Sequence, residues 1–174
     1  MEFTEQSIKV MGEMFCTMKK KGIPLWSHNQ KNQIVTGGLY ILAAHLANYG
    51  DNYNITKLGF GTGTTAPTSS DASLKGQHFR VGDFVDDGRT TTDGINKALI
   101  YWTVDYNADI ENQIFQVQGG GSYTWPVGTS FTIEELGLFS TAGAIFNRIV
   151  WTGPDLIMDT DMVLDGYFKL TMSI

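Results

Sequence analysis

Between residues 97 and 107 the chain alternates as a strand must. Ile100, Trp102, Val104 and Tyr106 fall on one face, and Leu99, Tyr101 and Thr103 on the other. Both faces carry apolar side chains, so this segment has to be covered on two sides, as in packed sheets or at a contact between subunits. That requirement dominates the choice of fold. Residues 55–60, 79–85, 114–118, 131–139, 144–151 and 162–174 also read as strands. Between them stand the turn formers Asp86-Asp87-Gly88, Asp93-Gly94, Gly119-Gly120-Gly121 and Thr141-Ala142-Gly143. With 174 residues, 42% hydrophobic and only 17% charged, the chain can bury the core of one domain.

Two helices are expected ahead of the strands. In residues 4–21, Ile8, Met11, Phe15 and Met18 recur at i, i+3, i+7 and i+10. Val10 and Met14 widen that stripe, Thr4 is placed to cap it, and Gly22 and Pro24 stop it. In residues 38–49, Leu39, Leu42, Leu46 and Tyr49 repeat the spacing before Gly50. The expected class is therefore α+β, with N-terminal helices followed by a mainly antiparallel β-sandwich. Residues 1–28 form a helical arm, and residues 29–174 form the sandwich, which begins with the short helix 38–49. The arm's apolar stripe (Ile8, Met11, Met14, Phe15 and Met18) is the candidate docking surface, since methionine adapts to irregular partners.

The net charge of −6 is unevenly distributed. Residues 1–35 hold five lysines against three glutamates, whereas the rest of the chain holds seven cations against fifteen acids. The basic arm is thus suited to an acidic face of a neighbouring copy, but a chain this acidic is not expected to bind nucleic acid directly. Cys16 stands alone, so neither an internal disulfide nor a CxxC pair forms. No apolar run approaches 18 residues, and Glu2 and Glu5 stand where a signal peptide carries positive charge. Neither membrane insertion nor export is expected, and the chain should fold in a cytoplasm.

The chemistry-bearing motifs mostly fail their tests. The loop containing Gly59, Gly61 and Gly63 lacks the lysine of a phosphate-binding loop, and Pro67 stands where a helix should begin. No Gly-x-Ser-x-Gly occurs. His28, His45 and His78 lack metal-ligand spacing. Asp159, Asp161 and Asp165, or Asp83, Asp86 and Asp87, offer oxygens for calcium but match no EF-hand. Glu134 and Glu135 are neighbours on a strand and face opposite ways. Catalytic, cofactor-binding and metal-binding residues are accordingly not expected, and the protein reads as a non-enzyme. Trp102 and Trp151 lie in apolar strands and suit a core. Tyr123 and Trp125, in a loop that reads as exposed, are the candidates for contact with a host-surface glycan, which gives the alternative function.

The order of motifs adds a resemblance. Residues 29–39 lead into the second helix; Gly59, Gly61, Gly63 and Pro67 follow, then Asp71, Leu74, Phe79 and Arg80. Further on come Phe131, Ile133, Glu134, Glu135, Gly137 and Phe139, and then a glycine turn before Phe146 and Arg148. Over roughly residues 29–150 this resembles the N-terminal modules of tail-collar and tail-fibre proteins of tailed bacteriophages. Leu136 replaces a usual isoleucine, Gln77-His78 replace a usual acid, and no repetitive shaft follows. The resemblance implies a structural protein of the virion, a collar, neck, tail or baseplate adaptor assembled in the host cytoplasm. It would form a threefold, sixfold or twelvefold homo-oligomer and join other virion proteins, without a cofactor. An ion pair from Glu134 or Glu135 to Arg80 or Arg148 is expected to fix strand register.

Overall fold

A computed structural model describes residues 9–47, 53–76, 78–81, 91–92, 97–110, 114–117, 122–124, 126 and 128–173. It overturns the expected class. Lys9–Lys20 is a strand, β1, and not a helix; it turns directly into β2, Ile23–Ile34. Lys21 and Gly22, with φ of 50° and 77°, make the two-residue turn between them, whose left-handed backbone matches the twist of a hairpin. The helical reading of 4–21 failed because the segment carries two periods at once. Met14, Cys16 and Met18, two apart, are all buried, while Glu13, Phe15 and Thr17 point the other way. Pairing along the full length of β13 (Met162–Ser173) on one side and β2 on the other decides for the strand. Ile8 lies outside the described residues.

The second expected helix does form, but the expected stripe is not its buried face. Leu39 is exposed and Leu42 half-buried, whereas Ile41 and Ala44 are buried, and Tyr49 lies outside the described residues. α1 runs Thr36–Leu46 and packs tightly: a Cβ on Gly38 would lie 2.0 Å from the carbonyl oxygen of Phe146. In chain order there follow β3 (Ile55–Gly61), β4 (His78–Val81), β5 (Thr91–Thr92) and β6 (Lys97–Asp105). A single π-helical turn (Tyr106–Ile110) separates β6 from β7 (Ile114–Val117) and β8 (Ser122–Thr124). The chain continues through β9 (Phe131–Thr132), β10 (Glu135–Ser140), β11 (Asn147–Val150), β12 (Ile157–Met158) and β13.

Among the described residues, eleven strands form one continuous sheet in the order β5-β6-β13-β1-β2-β11-β10-β3-β4-β7-β8, with β12 and β9 as a separate pair. Every pairing among the described residues is antiparallel. The corner is made by β2. Most of it pairs with β1, but Gln33 and Ile34 pair with Arg148 and Asn147 of β11. The sheet thereby wraps around one core. Met14, Trp102, Leu164 and Phe168 come from one half, and Leu58, Phe60, Leu138 and Ile149 from the other. The architecture is thus a nearly closed, barrel-like antiparallel sheet with little helix, not N-terminal helices on a sandwich. The two-faced reading of β6 holds: Ile100, Trp102 and Val104 are buried inside, and Leu99, Tyr101 and Thr103 are half-buried outside.

Candidate functional site

Part of the sequence motif converges beneath the loop between β3 and β4. Arg148, on β11, and Glu135, at the start of β10, are both wholly buried. The Arg148 Nε donates to Glu135 Oε2 at 2.7 Å, and its Nη1 donates to Asp71 Oδ2 at 3.0 Å. β10 and β11 are hydrogen-bonded neighbours, with Glu135 opposite Val150 and Leu136 opposite Ile149. Their tight connection brings positions thirteen residues apart together.

Glu135 also receives the loop. Its Oε1 accepts from the backbone N–H groups of Gly63 (3.1 Å), Lys75 (2.9 Å) and Gly76 (2.7 Å). The glycines are needed for that approach: a Cβ on Gly61 or Gly63 would lie 2.5 Å from Glu135 Oε1. Gly59 and Gly137 sit in the strands for a similar reason. A Cβ on the first would meet the Phe139 ring at 2.6 Å, and one on the second the carbonyl oxygen of Asn147 at 2.9 Å.

Asp71 completes the cluster. It accepts from the Thr68 N–H and hydroxyl and faces Lys75 Nζ at 3.0 Å. Burial opposes its charge, but the hydrogen bonds from Thr68, Lys75 and Arg148 outweigh burial and hold its carboxyl well below the usual carboxylate range. Two carboxylates thus face one guanidinium and one ammonium. The Glu135 oxygens accept from four N–H groups, with that of Lys75 shared between both oxygens. Chemically the arrangement is a clasp that fixes loop 62–76 to the sheet.

The expected ion pair is therefore the one between Glu135 and Arg148. Glu134 is half-buried; its N–H donates to the Gly61 carbonyl, and its own carbonyl accepts from the Trp151 N–H. Arg80 lies on β4, its backbone opposite Gly59 and Gln116. Ile133 and Phe139 are buried, Phe131 packs edge-on against Phe60, and Pro67 is half-buried in the loop. Lys75 and Gly76 supply donors that no motif signalled; the Thr68-x-x-Asp71 spacing, typical of a side-chain-closed turn, was the available clue.

Other sequence candidates disperse. Met14 and Met18 are core residues; Met11 is 43% exposed, and Phe15 faces outward. Tyr123 lies on β8, whereas Trp125 falls outside the described residues. Trp102 is buried, and Trp151 is half-buried against Trp26 and His28. The aspartates near β13 that could offer oxygens to calcium each face a lysine: Asp165 with Lys19, Asp159 with Lys20 and Asp161 with Lys21. Among the described residues no group of three or more His, Cys, Asp or Glu is placed to hold a metal. Asp83, Asp86 and Asp87 lie outside the described residues.

A second feature lies on the outer face of the β6-β13-β1-β2 stretch. Phe15 stacks on Tyr167 with ring centroids 5.4 Å apart, and Tyr167 meets Tyr101 at 5.5 Å. These rings form a row across three strands. Comparison with protein-family models, with curated proteins and with solved structures finds no match to this chain.

Proposed function

We propose that this chain is a non-enzymatic structural subunit of a tailed-bacteriophage virion, a collar, neck, tail or baseplate adaptor that self-associates and joins other virion proteins. One observation carries the reading. Five of the residues that resemble the phage modules, Gly61, Gly63, Asp71, Glu135 and Arg148, build the buried clasp. A motif whose members touch one another inside the fold maintains a shape, and a maintained shape is what an assembly subunit contributes. The outward aromatic row offers a surface for contact with other copies.

Sedimentation velocity on the purified chain, with electron microscopy of the sedimenting species, tests this. Closed particles of three, six or twelve copies are expected. A monomer at every concentration up to about 100 μM, far above the micromolar dissociation constants of ordinary complexes, would remove self-association from the proposal.

A further inference from the structure

Three charges on the outer face have no obvious employment. Glu13 stands directly across from Lys169 of β13 and Lys31 of β2. Yet none of the three makes an ion pair among the described residues. Next to them along the strands lie Phe15 and Tyr167, which belong to no buried cluster. A cleft of about 390 Å³ opens beside Glu13, Lys31 and Lys169, where β2 begins to leave β1 for β11.

We infer that this face binds a second copy of the chain through a twofold axis running along the strands, above the boundary between β1 and β13. The inference rests on the self-association proposed above and names its surface. The operation carries β1 of one subunit over β13 of the other without reversing position along the strand. Glu13 then lies over Lys169 of the partner subunit, and Lys169 lies over Glu13 of the partner subunit. Phe15 lies over Tyr167 of the partner subunit, and the converse contact repeats it. Antiparallel register places these residues at the same height on adjacent strands, so one symmetry operation satisfies both charges and both rings. Lateral repetition does not achieve this, because it places like side chains in corresponding surroundings without exchanging the two strands.

The face is also large enough. Twelve-residue strands run roughly 40 Å and four strands span roughly 19 Å, so the face offers roughly 750 Å² per copy, close to the roughly 800 Å² typical of a stable contact. Pairing of the charges across the axis fixes register, while the apolar row is removed from water between them. Such a contact requires twofold axes, which a six- or twelve-copy particle of dihedral symmetry contains and a three-copy ring does not.

The test uses charge reversal in the full chain. Glu13→Lys and Lys169→Glu should each weaken association at least roughly tenfold, because each places like charges across the axis. Mixing the two single variants should restore it in a mixed species, since each then supplies the charge that the other lacks. Within each chain the like-charge neighbours persist, so restoration reports contact between chains. The double variant on one chain should associate as the wild type does, and circular dichroism on all forms monitors folding. An associating wild type whose single variants are unaffected, or whose mixture stays dissociated, overturns this surface but leaves self-association standing. A monomeric wild type overturns both.

Discussion

Replacing Arg148 with methionine tests whether the clasp holds the loop to the sheet. The change removes the donors to Glu135 and Asp71 while keeping most of the side-chain volume, and it leaves two carboxylates in a site closed to water. Removing one partner of a buried pair generally costs about 3–5 kcal/mol. Three features put this case at the low end. Glu135 keeps its backbone donors, Asp71 keeps Lys75 and Thr68, and the Arg148 Nη2 already has no partner among the described residues. About 3 kcal/mol is expected, which for 174 residues lowers Tm by roughly 6–12 °C. Urea unfolding gives the free energy and differential scanning calorimetry the midpoint.

The pH dependence adds a signed check. Asp71 is held below its ordinary range, so its contribution is complete above the unfolded carboxyl value of about 4. It is lost as the pH falls below that, because the unfolded chain takes up a proton that native Asp71 refuses. The wild type should therefore hold its stability from pH 7 to about 5 and lose it below about 4. The gap to the variant, which shares the same unfolded titration, narrows towards acid only as far as native Asp71 binds a proton more readily without the Arg148 donor. A loss under about 1 kcal/mol, the scale of a surface pair, would refute the clasp as the element holding this loop.

Two further perturbations probe the sheet itself. Burial pushes the Cys16 thiol up to about 12, with the Asp165 charge adding to it, so Ellman's reagent should leave native protein unlabelled at pH 8 and react fully in urea. Stability should also decline above pH about 9, where the unfolded thiol ionises and the native one does not; rapid stoichiometric labelling of native protein would contradict the buried placement. Gly166→Ala should cost about 3 kcal/mol, because its Cβ would lie 2.1 Å from the Phe15 carbonyl oxygen and backbone cannot give way. Gly22→Ala, with φ of 77° but nothing within 4 Å, should cost only about 1 kcal/mol, the strain of a left-handed residue; equal losses in urea titrations would show that close approach is not what selects Gly166.

The middle of the fold was more legible than its beginning. β6 announced itself because both its faces are apolar; α1 stands close to its expected place, but on a buried face of Ile41 and Ala44 that the Leu39–Leu42 spacing did not mark. The β1 segment satisfied both templates: Met11, Phe15 and Met18 fit a helix, while Met14, Cys16 and Met18 fit a strand. Local spacing could not arbitrate, and pairing with β13, almost 150 residues away, did. β2 had no signal to give. Gln30, Asn32 and His28 are polar residues on its inner side; Gln30 bonds the Val150 carbonyl and the Thr152 N–H across the corner, whereas the Asn32 amide has no partner among the described residues. The Glu135–Arg148 pair could be anticipated because a hairpin brings the two together. The backbone amides of Lys75 and Gly76 could not, since any residue type supplies an N–H.

The charge distribution changes meaning once the strands are paired. Read linearly, the five lysines near the start make a basic arm suited to docking on an acidic body. In the fold, Lys19, Lys20 and Lys21 at the β1–β2 turn face Asp165, Asp159 and Asp161 at the start of β13, so the arm and the body neutralise each other within one chain. These are exposed or half-exposed pairs of small energetic weight, but they consume the charge that head-to-tail docking would have used. What this leaves towards the other end of the same strands is local and of both signs: Glu13 beside Lys31 and Lys169, flanking an aromatic row. A surface of that kind is better matched by its own rotated copy than by a uniformly acidic one, because an acidic partner would meet Glu13 with like charge. Under the proposed self-association, the charges that would set the contact are therefore those paired across the β2-β1-β13 face, and not the three lysines at the β1–β2 turn.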